Sequence, residues 1–219
     1  MGPQAHFAIG SGGVRRYAPG YCPVAGFENQ RDPDFSALAD LCEPGEQILC
    51  ESWHGPAPPG WKIHEEANLY RMVWDAPAPA NDQARDAIKL HPEHAGAACQ
   101  LAALTRPGPF GLPSIALGDY YGYFDGANLV AIAGERLAAD GLREICDVCT
   151  HPDFARRGLA QRLVSKLARR QLMRGERPFL HVLQESVAAH ALYRRMGFRV
   201  HCVSPVRVIS RQDAGGAPD

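Results

Sequence analysis

The second half of the chain shows the clearest pattern of apolar and polar positions. Between residues 159 and 168 apolar side chains recur every three or four positions and basic side chains fill the gaps, which predicts an amphipathic helix. Gly175 ends this helix, and the apolar stretch 178–182 predicts a strand after it. Because the segment 142–150 before the helix also has a strand pattern, the chain predicts a βαβ unit with a parallel strand pair.

Two Asp-Gly dipeptides predict hairpins upstream of that unit. Asp125-Gly126 separates an aromatic segment from the apolar run 129–133, and Asp140-Gly141 separates the continuation of that run from the segment 142–150. Asp-Gly favours tight hairpin turns because both central positions of such a turn need positive φ. The two turns together predict a three-stranded antiparallel meander.

Further elements flank the meander and the βαβ unit. A helix over 92–105 begins with a proline in its first turn, and a second helix over 186–196 has Ser186 as its predicted N-cap. The apolar stretches 198–203 and 206–210 then predict a hairpin around a Ser-Pro turn. The predicted fold class is mixed α/β, with one central mixed sheet.

The N-terminal part of the chain has weaker patterns. Residues 1–30 are rich in Gly and Pro and show no periodicity, which predicts a loosely attached arm. Residues 31–84 contain a short helical pattern and two strand-like stretches, 47–52 and 61–74, and are interpreted as a small α+β region. Residues 85–219 form the larger predicted domain.

Composition and charge exclude several classes of partner. The 219 residues include 23 basic and 24 acidic side chains, so a cationic surface for nucleic acid is not expected. No apolar run approaches the roughly 20 residues that span a bilayer, so a membrane partner is not expected either. Seven cysteines in no compact framework are typical of a reducing compartment, which predicts a cytoplasmic protein.

Cys146 and Cys149 form a Cys-x-x-Cys motif that raises the alternative of a zinc or thiol-redox module. Residues three apart on a strand point to opposite faces, so both sulfurs converge only if the strand contains a bulge. Two sulfurs also supply only half of a tetrahedral zinc site. A metal site is therefore not predicted.

The start of the amphipathic helix is a candidate phosphate site. A helix N-terminus presents unpaired N–H groups and the positive end of the helix dipole, and small residues let a pyrophosphate approach the backbone. The alternative is an ordinary tight turn with solvated arginines. The residues concerned are Arg156, Arg157, Gly158, Leu159 and Ala160.

The segment 144–160, with the segments 178–182 and 191–198, resembles the GNAT superfamily of acyl-CoA-dependent N-acetyltransferases, in particular its bacterial predicted-acetyltransferase branch. The resemblance covers about residues 85–211 and implies the GNAT fold. It also implies acetyl-CoA as cosubstrate, no metal, and direct transfer of an acetyl group to a primary amine of a small molecule, amino acid or peptide. A non-catalytic acyl-CoA-binding sensor is the alternative. Residues 31–84 are interpreted as a degenerate partner half, and the N-terminal region would either close over the site or form a homodimer contact.

The resemblance also assigns cofactor-binding roles. It implies that the loop 156–160 cradles the pyrophosphate of CoA. The pantetheine arm is expected along Val148, Cys149 and Thr150, and backbone N–H groups near Val148 and Cys149 are expected to stabilise the oxyanion. Ser186 stands where relatives often carry an asparagine that contacts CoA. Tyr193 matches a tyrosine that protonates the departing thiolate, with packing at the helix–sheet interface as the alternative.

Amine acylation needs a base, because an amine with a pKa near 10 is almost entirely charged at neutral pH. Glu144 stands where histone-modifying relatives carry their general base. The predicted hairpin register makes Glu135 its diagonal neighbour on the same sheet face, and two adjacent carboxylates raise the pKa of one of them. Which glutamate acts as base stays open, and a solvated or arginine-paired glutamate is the alternative.

Overall fold

The computed structural model describes residues 4–139 and 141–212 and contains a mixed sheet with α-helices packed against it. Asp140, the first residue of the predicted Asp140-Gly141 turn, lies outside the described residues. Within these two ranges, no helix is long and apolar enough to cross a membrane.

The described residues form eleven strands and four α-helices. In chain order the strands are β1 (Ala8–Ser11), β2 (Val14–Tyr17), β3 (Val24–Phe27), β4 (Ile48–Glu51), β5 (Trp61–Trp74), β6 (Ile88–Lys89), β7 (Tyr121–Asp125), β8 (Asn128–Ala139), β9 (Leu142–Thr150), β10 (Arg177–Leu183) and β11 (Phe198–Arg211). The helices are α1 (Phe35–Ala39), α2 (Ala95–Thr105), α3 (Leu159–Met173) and α4 (Val187–Met196). The strands lie in the order β1-β2-β3-β4-β11-β5-β10-β9-β8-β7-β6.

The predicted meander and βαβ unit are both present. β7, β8 and β9 pair antiparallel in turn, and Gly126 and Gly141 at the two turns have φ of +58° and +75°, a conformation that glycine adopts without strain. α3 then connects β9 to β10, which pair in parallel. The prediction of a mixed α/β fold with one central mixed sheet is confirmed.

The predicted hairpin over 198–210 is wrong, because these residues form the single strand β11. β11 pairs antiparallel with β5 along its length, with two irregularities, one between Val200 and Cys202 and one between Val208 and Ile209. Its pairing with β4 begins at Val206, so the missing N–H of Pro205 does not interrupt that ladder. The long pairing with β5 keeps the Ser-Pro sequence extended.

The N-terminal segment differs from the predicted loose arm. β1, β2 and β3 extend the sheet beyond β4, and Val14, Tyr17 and Ala25 are buried. These short strands contain glycine and few apolar residues, so the alternation of apolar and polar positions is too weak to predict them from the sequence. The division into segments 1–30, 31–84 and 85–219 stays a prediction, but the sheet is continuous across it, since β5 lies between β11 and β10.

Helices cover both faces of the sheet around β9. On one face Leu163, Val164 and Leu167 of α3 are fully buried in a cluster with Ile145. The next residue of β9, Cys146, lies in a second cluster with α2, because successive strand residues point to opposite faces. Each fully buried leucine contributes about 2 kcal/mol, so the apolar stripe of α3 holds this helix on the sheet.

Gly134 of β8 lets the ring of Tyr120 lie directly against the sheet backbone. A Cβ at residue 134 would lie 2.0 Å from two carbons of the Tyr120 ring, and Tyr120 is fully buried. The Tyr120 hydroxyl donates a 2.8 Å hydrogen bond to Oδ2 of Asp147. This glycine therefore fixes a tyrosine that orients a buried carboxylate.

We predict that Gly134→Ala destabilises the fold by about 1–3 kcal/mol, because the new methyl group overlaps a ring with no room to move. Urea unfolding measures the change. Gly26→Ala is the control, since Gly26 also lies in a strand and a Cβ there meets nothing within 4 Å. Equal effects of the two substitutions would contradict the prediction.

Candidate active site

β9 and β10 pair over only three residues and then separate. The paired positions end at Phe179 and Glu144, and a cavity of about 450 Å³ opens beyond them. Its volume is in the range of small-molecule sites. This cavity is called the cleft below. The loop 106–109 forms part of its wall, and β9, β10 and α4 with its N-cap contribute Glu144, Ile145, Cys146, Asp147, Val148, His181, Val182, Leu183, Ser186, Ala189 and Tyr193.

The turn before α3 follows the part of β9 that lines the cleft. Arg156 and Gly158 have φ of +62° and +75°, and a Cβ on Gly158 would meet nothing within 4 Å. The first backbone bond of α3 runs from the N–H of Arg162 to the carbonyl of Gly158, 3.0 Å away, so the N–H groups just before it have no helix partner. With the exposed Arg157, the turn presents donors and positive charge suited to phosphate.

The predicted pantetheine residues lie on the open part of β9. Cys149 and Thr150 pair with β8 on one side, but β10 no longer pairs with β9 on the other. Within the described residues, the buried Oγ1 of Thr150 makes no hydrogen bond. Backbone and side-chain polar groups are therefore available here for an extended ligand. The assignment of Val148, Cys149 and Thr150 to the cofactor stays a prediction.

A bulge in β9 sets the direction of its side chains. Three steps along β9, from Cys146 to Cys149, oppose two steps along β8, and Asp147 in the bulge has φ of +53°. Both cysteines consequently lie in the α2 cluster, and burial raises the pKa of Cys149 to about 11. The strand therefore contains the bulge that the sequence analysis named as the condition for the two cysteines to share a face. Among the described residues, no group of three or more His, Cys, Asp or Glu side chains could hold a metal.

Glu144 lies at the start of the cleft, and both of its carboxylate oxygens make hydrogen bonds. The Arg136 guanidinium donates to its two oxygens at 3.0 and 2.9 Å, and Nδ1 of His181 lies 2.9 Å from Oε1. Burial would raise the pKa of Glu144, but Arg136 and His181 outweigh burial and hold the pKa well below its usual range. The expected raised pKa is therefore wrong for Glu144, because the carboxylate is paired with arginine.

Glu135 lies on the opposite face of the sheet. It pairs directly with Ile145, so its side chain points away from the face of Glu144. Its carboxylate accepts hydrogen bonds from Gln171 at 3.0 Å and from Arg174 at 2.6 Å. The predicted sharing of one face is wrong, because the register of β8 and β9 shifts just after Glu135.

Asp147 lines the cleft and was not among the predicted site residues. Its Oδ2 accepts hydrogen bonds from the Tyr120 hydroxyl at 2.8 Å and the Cys146 thiol at 3.1 Å, whereas Oδ1 has no partner among the described residues. Burial raises the pKa of Asp147, although Arg136 opposes the shift. The signal in the sequence is a charged residue within the otherwise apolar stretch 145–149.

His181 is a second site residue that the sequence reasoning missed. Nε of Arg71 donates to its Nε2 at 3.0 Å, which leaves Nδ1 to donate to Glu144. These two bonds assign the neutral Nδ1–H tautomer. Nη2 of Arg71 also donates to Glu51 at 3.1 Å, so a chain of hydrogen-bonded side chains crosses the sheet from Arg136 to Glu51.

Tyr193 and Ser186 lie on the α4 side of the cleft. Burial raises the pKa of Tyr193 to about 12, so its phenol keeps its proton at neutral pH. Ser186 occupies the N-cap position of α4, but its side chain accepts no capping hydrogen bond. The predicted capping by the Ser186 hydroxyl is therefore wrong, and this hydroxyl is free to face the cleft.

The chain is similar to known proteins in sequence and in fold. The FR47-like protein family matches residues 120–207. A GNAT-family protein of Novosphingobium aromaticivorans, described as a candidate acetyltransferase, is 31% identical with a TM-score of 0.86, over 97% of this chain and 94% of its own. No curated protein matches the sequence.

Two more distant structures share the fold. A GCN5-related N-acetyltransferase-like protein of Streptococcus suis is 15% identical, with a TM-score of 0.62 over 90% of this chain and 84% of its own. A GCN5-related N-acetyltransferase of Kribbella flavida is 17% identical, with a TM-score of 0.58 over 95% and 90%. The chain belongs to the GNAT superfamily of acetyltransferases.

We predict that Glu144→Gln lowers the free energy of unfolding at pH 7 by about 3–5 kcal/mol, because it leaves Arg136 as an unpaired buried charge. The pKa of Glu144 is lowered by folding, so its contribution is present above the ordinary value of 4.5 and is lost as pH falls below that value. Urea unfolding between pH 3 and 7, in steps of about one unit, measures both effects.

Glu66→Gln is the control for that substitution. Glu66 is half exposed and pairs with Arg207, so its loss changes the free energy of unfolding by about 1 kcal/mol or less. A Glu144→Gln effect as small as the control effect, or with an unchanged pH dependence, would show that the buried pair does not stabilise the fold.

Proposed function

We propose that the protein transfers an acyl group, with acetyl as the expected one, from acyl-CoA to a primary amine by direct transfer. The observation that carries the proposal is the cleft between β9 and β10, with the donor-rich turn of α3 after it. Family membership supports the same chemistry. The alternative is a non-catalytic acyl-CoA-binding sensor, which would use the same cleft.

The residues of the cleft and the α3 turn fit acyl-CoA. Arg156, Arg157 and the free N–H groups that follow Gly158 would hold the pyrophosphate, and the open backbone of Val148–Thr150 would bind the pantetheine arm. When bound, the cosubstrate supplies an acyl group activated as a thioester. The chain's own part is to orient this group and to move protons beside it.

Asp147 is the proposed proton acceptor. A general base needs a free lone pair and a pKa shifted towards the working pH, and Oδ1 of Asp147 satisfies both conditions. The oxygens of Glu144 and Glu135, the two expected bases, already accept hydrogen bonds from arginine. Glu144 is proposed instead to position His181.

Tyr193 is the proposed proton donor to the leaving thiol. Its raised pKa keeps the phenol protonated, and it lines the cleft on the α4 side. The ammonium group of the acceptor loses one proton to Asp147, which passes it to water. As the C–N bond forms and the C–S bond breaks, Tyr193 gives its proton to the departing sulfur. The second proton of the nitrogen then passes to the Tyr193 phenolate, directly or through water, so the thiol departs protonated and the phenol is restored.

We predict that Gly158→Trp raises the Kd for acetyl-CoA and for free CoA by about tenfold or more, because the indole fills the space in front of the α3 turn. Calorimetric titration measures the Kd. The control is Gly175→Trp at the other end of the α3 segment, where φ is +74° and the space is equally open, so backbone strain is matched. Absence of binding by the wild type would contradict both the transferase and the sensor.

We predict that Asp147→Asn lowers kcat for amine acetylation by about 10²–10⁴-fold while acetyl-CoA still binds, because the amide cannot accept the proton. In the wild type, activity falls as pH drops through the raised pKa of Asp147, above its ordinary value of 3.8. Thiol release from acetyl-CoA, measured against pH, follows both effects. Binding without turnover of any amine by the wild type would favour the sensor.

Asp153→Asn is the control for Asp147→Asn. Asp153 is exposed in the loop after β9 and does not line the cleft, so its substitution leaves kcat within about twofold. Near-normal kcat for Asp147→Asn would rule out Asp147 as the base.

A further inference from the structure

The position of the Tyr120 ring is set by contacts on several sides. The ring lies against the backbone at Gly134, and the Phe110 ring meets it edge-on with the two centroids 5.9 Å apart. The carbonyl of Tyr120 accepts a 2.8 Å hydrogen bond from the N–H of Leu90. Because Tyr120 is fully buried, this packing decides where its hydroxyl lies.

The hydroxyl is one of two donors to a single carboxylate oxygen. Oδ2 of Asp147 accepts from the Tyr120 hydroxyl at 2.8 Å and from the Cys146 thiol at 3.1 Å, and the two donor atoms lie 3.5 Å apart. Burial raises the pKa of the phenol and of the thiol well above their usual values, so both keep their protons at neutral pH. An ionised carboxylate only accepts hydrogen bonds, so the two donors suit the charged form of Asp147.

The two oxygens of Asp147 are therefore not equivalent. Among the described residues, these are the only two hydrogen bonds to the carboxylate, and Oδ1 has none. Asp147 also has a φ of +53°, a conformation that a non-glycine residue keeps only where its surroundings hold it. The two bonds to Oδ2 hold the side chain at the bulge and leave one oxygen for a further proton.

The other charged groups near Asp147 act on it from a greater distance. Arg136 opposes the effect of burial on the pKa of Asp147 and Glu144 adds to it, but these two side chains bind each other at 2.9 Å. The thiols of Cys22 and Cys149 also interact with the Asp147 charge. Further titratable side chains line the cleft with it, among them Arg106, His181 and Tyr193.

We propose that Tyr120 is a positioning residue for acyl transfer: its hydroxyl, together with the Cys146 thiol, holds Oδ2 of Asp147 and leaves Oδ1 to take the proton of the acceptor. This role rests on the proposed function, in which Asp147 is the base. Tyr120 does not line the cleft, and it keeps its own proton throughout the reaction. It acts through the carboxylate, by fixing its orientation and by stabilising its charged form.

Tyr120→Phe is the main test, since it keeps the ring against Gly134 and removes only the hydroxyl. A donor lowers the pKa of the carboxylate that it binds, so its loss raises the pKa of Asp147 further. We expect the low-pH limb of the kcat profile to move to higher pH by about one unit, the effect of one hydrogen bond to a charged group. KM for acetyl-CoA stays within about twofold, because the hydroxyl does not contact the cosubstrate.

Thiol release from saturating acetyl-CoA measures this profile. The acceptor is the fastest one of a panel that contains ethanolamine, 2-phenylethylamine, glycine and L-lysine. A tyrosine that serves only as packing would change the free energy of unfolding and leave the low-pH limb where it is.

Tyr121→Phe is the matched control. Tyr121 is the next residue and is also buried, but its ring lies in the α3 cluster, where the Lys166 ammonium is 4.8 Å from the ring centroid. Its hydroxyl makes no hydrogen bond among the described residues. We expect this substitution to move the low-pH limb by no more than about 0.2 unit.

Cys146 provides an independent pair of variants. Cys146→Ala removes the second donor, so we expect the low-pH limb to move to higher pH, by less than in Tyr120→Phe because a thiol is a weak donor. Cys146→Ser keeps a donor at the same position and is expected to raise the limb less than Cys146→Ala. These variants test the arrangement without any change at Tyr120.

A second readout does not depend on turnover. In protein labelled with ¹³C at the aspartate side-chain carboxyls, the NMR signal that is missing in Asp147→Asn identifies Asp147, and its titration gives the pKa directly. We expect the midpoint in Tyr120→Phe to lie about one unit above the wild-type midpoint and the midpoint in Tyr121→Phe to be unchanged.

The outcomes separate this role from the proposed function. Unchanged midpoints and limbs in Tyr120→Phe and Cys146→Ala, or equal shifts in Tyr120→Phe and Tyr121→Phe, would overturn the positioning role while acyl transfer stands. A wild type that binds acetyl-CoA but acetylates no amine of the panel would overturn the proposed function, and the role of Tyr120 in it, whatever the midpoints are.

Discussion

The separation of β9 from β10 after three paired residues is the constraint on which the site depends. A central strand normally satisfies its backbone groups on both sides, and an unpaired buried group is costly. Among the described residues, the cleft side of β9 has no strand partner beyond Glu144, so its backbone polar groups are available to a ligand. The bulge at Asp147 occurs in the same stretch, and Asp147 is one of the residues that line the opening.

A chain of hydrogen-bonded polar side chains links the two sides of this opening. Arg136 of β8 binds Glu144 of β9, which binds His181 of β10, and Arg71 of β5 links that histidine to Glu51 of β4. The five residues come from five strands, so their pairing depends on the whole sheet. Buried ion pairs of this kind need every partner in place, because a single loss leaves an unpaired buried charge.

The N-terminal strands form one wall of a cavity of about 760 Å³. Hydrogen bonds to β8 and to the segment before β7 hold the N-terminal segment in this position. The side chain of Gln4 donates to the carbonyls of Leu117 and Arg136, and the Tyr17 hydroxyl donates to Gln4 at 3.0 Å. Cys22 contacts Arg136 as well. The segment expected to be a loose arm therefore forms a wall, and its position is fixed by contacts that no local pattern encodes.

Sequence alone determined the elements whose residue pattern is contained in one short continuous segment. The apolar stripe of α3, the glycine turns of the meander and the residues 156–160 at a helix start follow from local periodicity and backbone preference. Tertiary structure decided which side chains meet. One extra residue in β9 and a register shift in β8 reverse the faces that alternation predicts, so Glu135 and Glu144 separate and Asp147 enters the cleft. Both bulges lie in the β8–β9 pair, and simple alternation along either strand does not encode them, which is why the arrangement of the site's charges became visible only in the folded molecule.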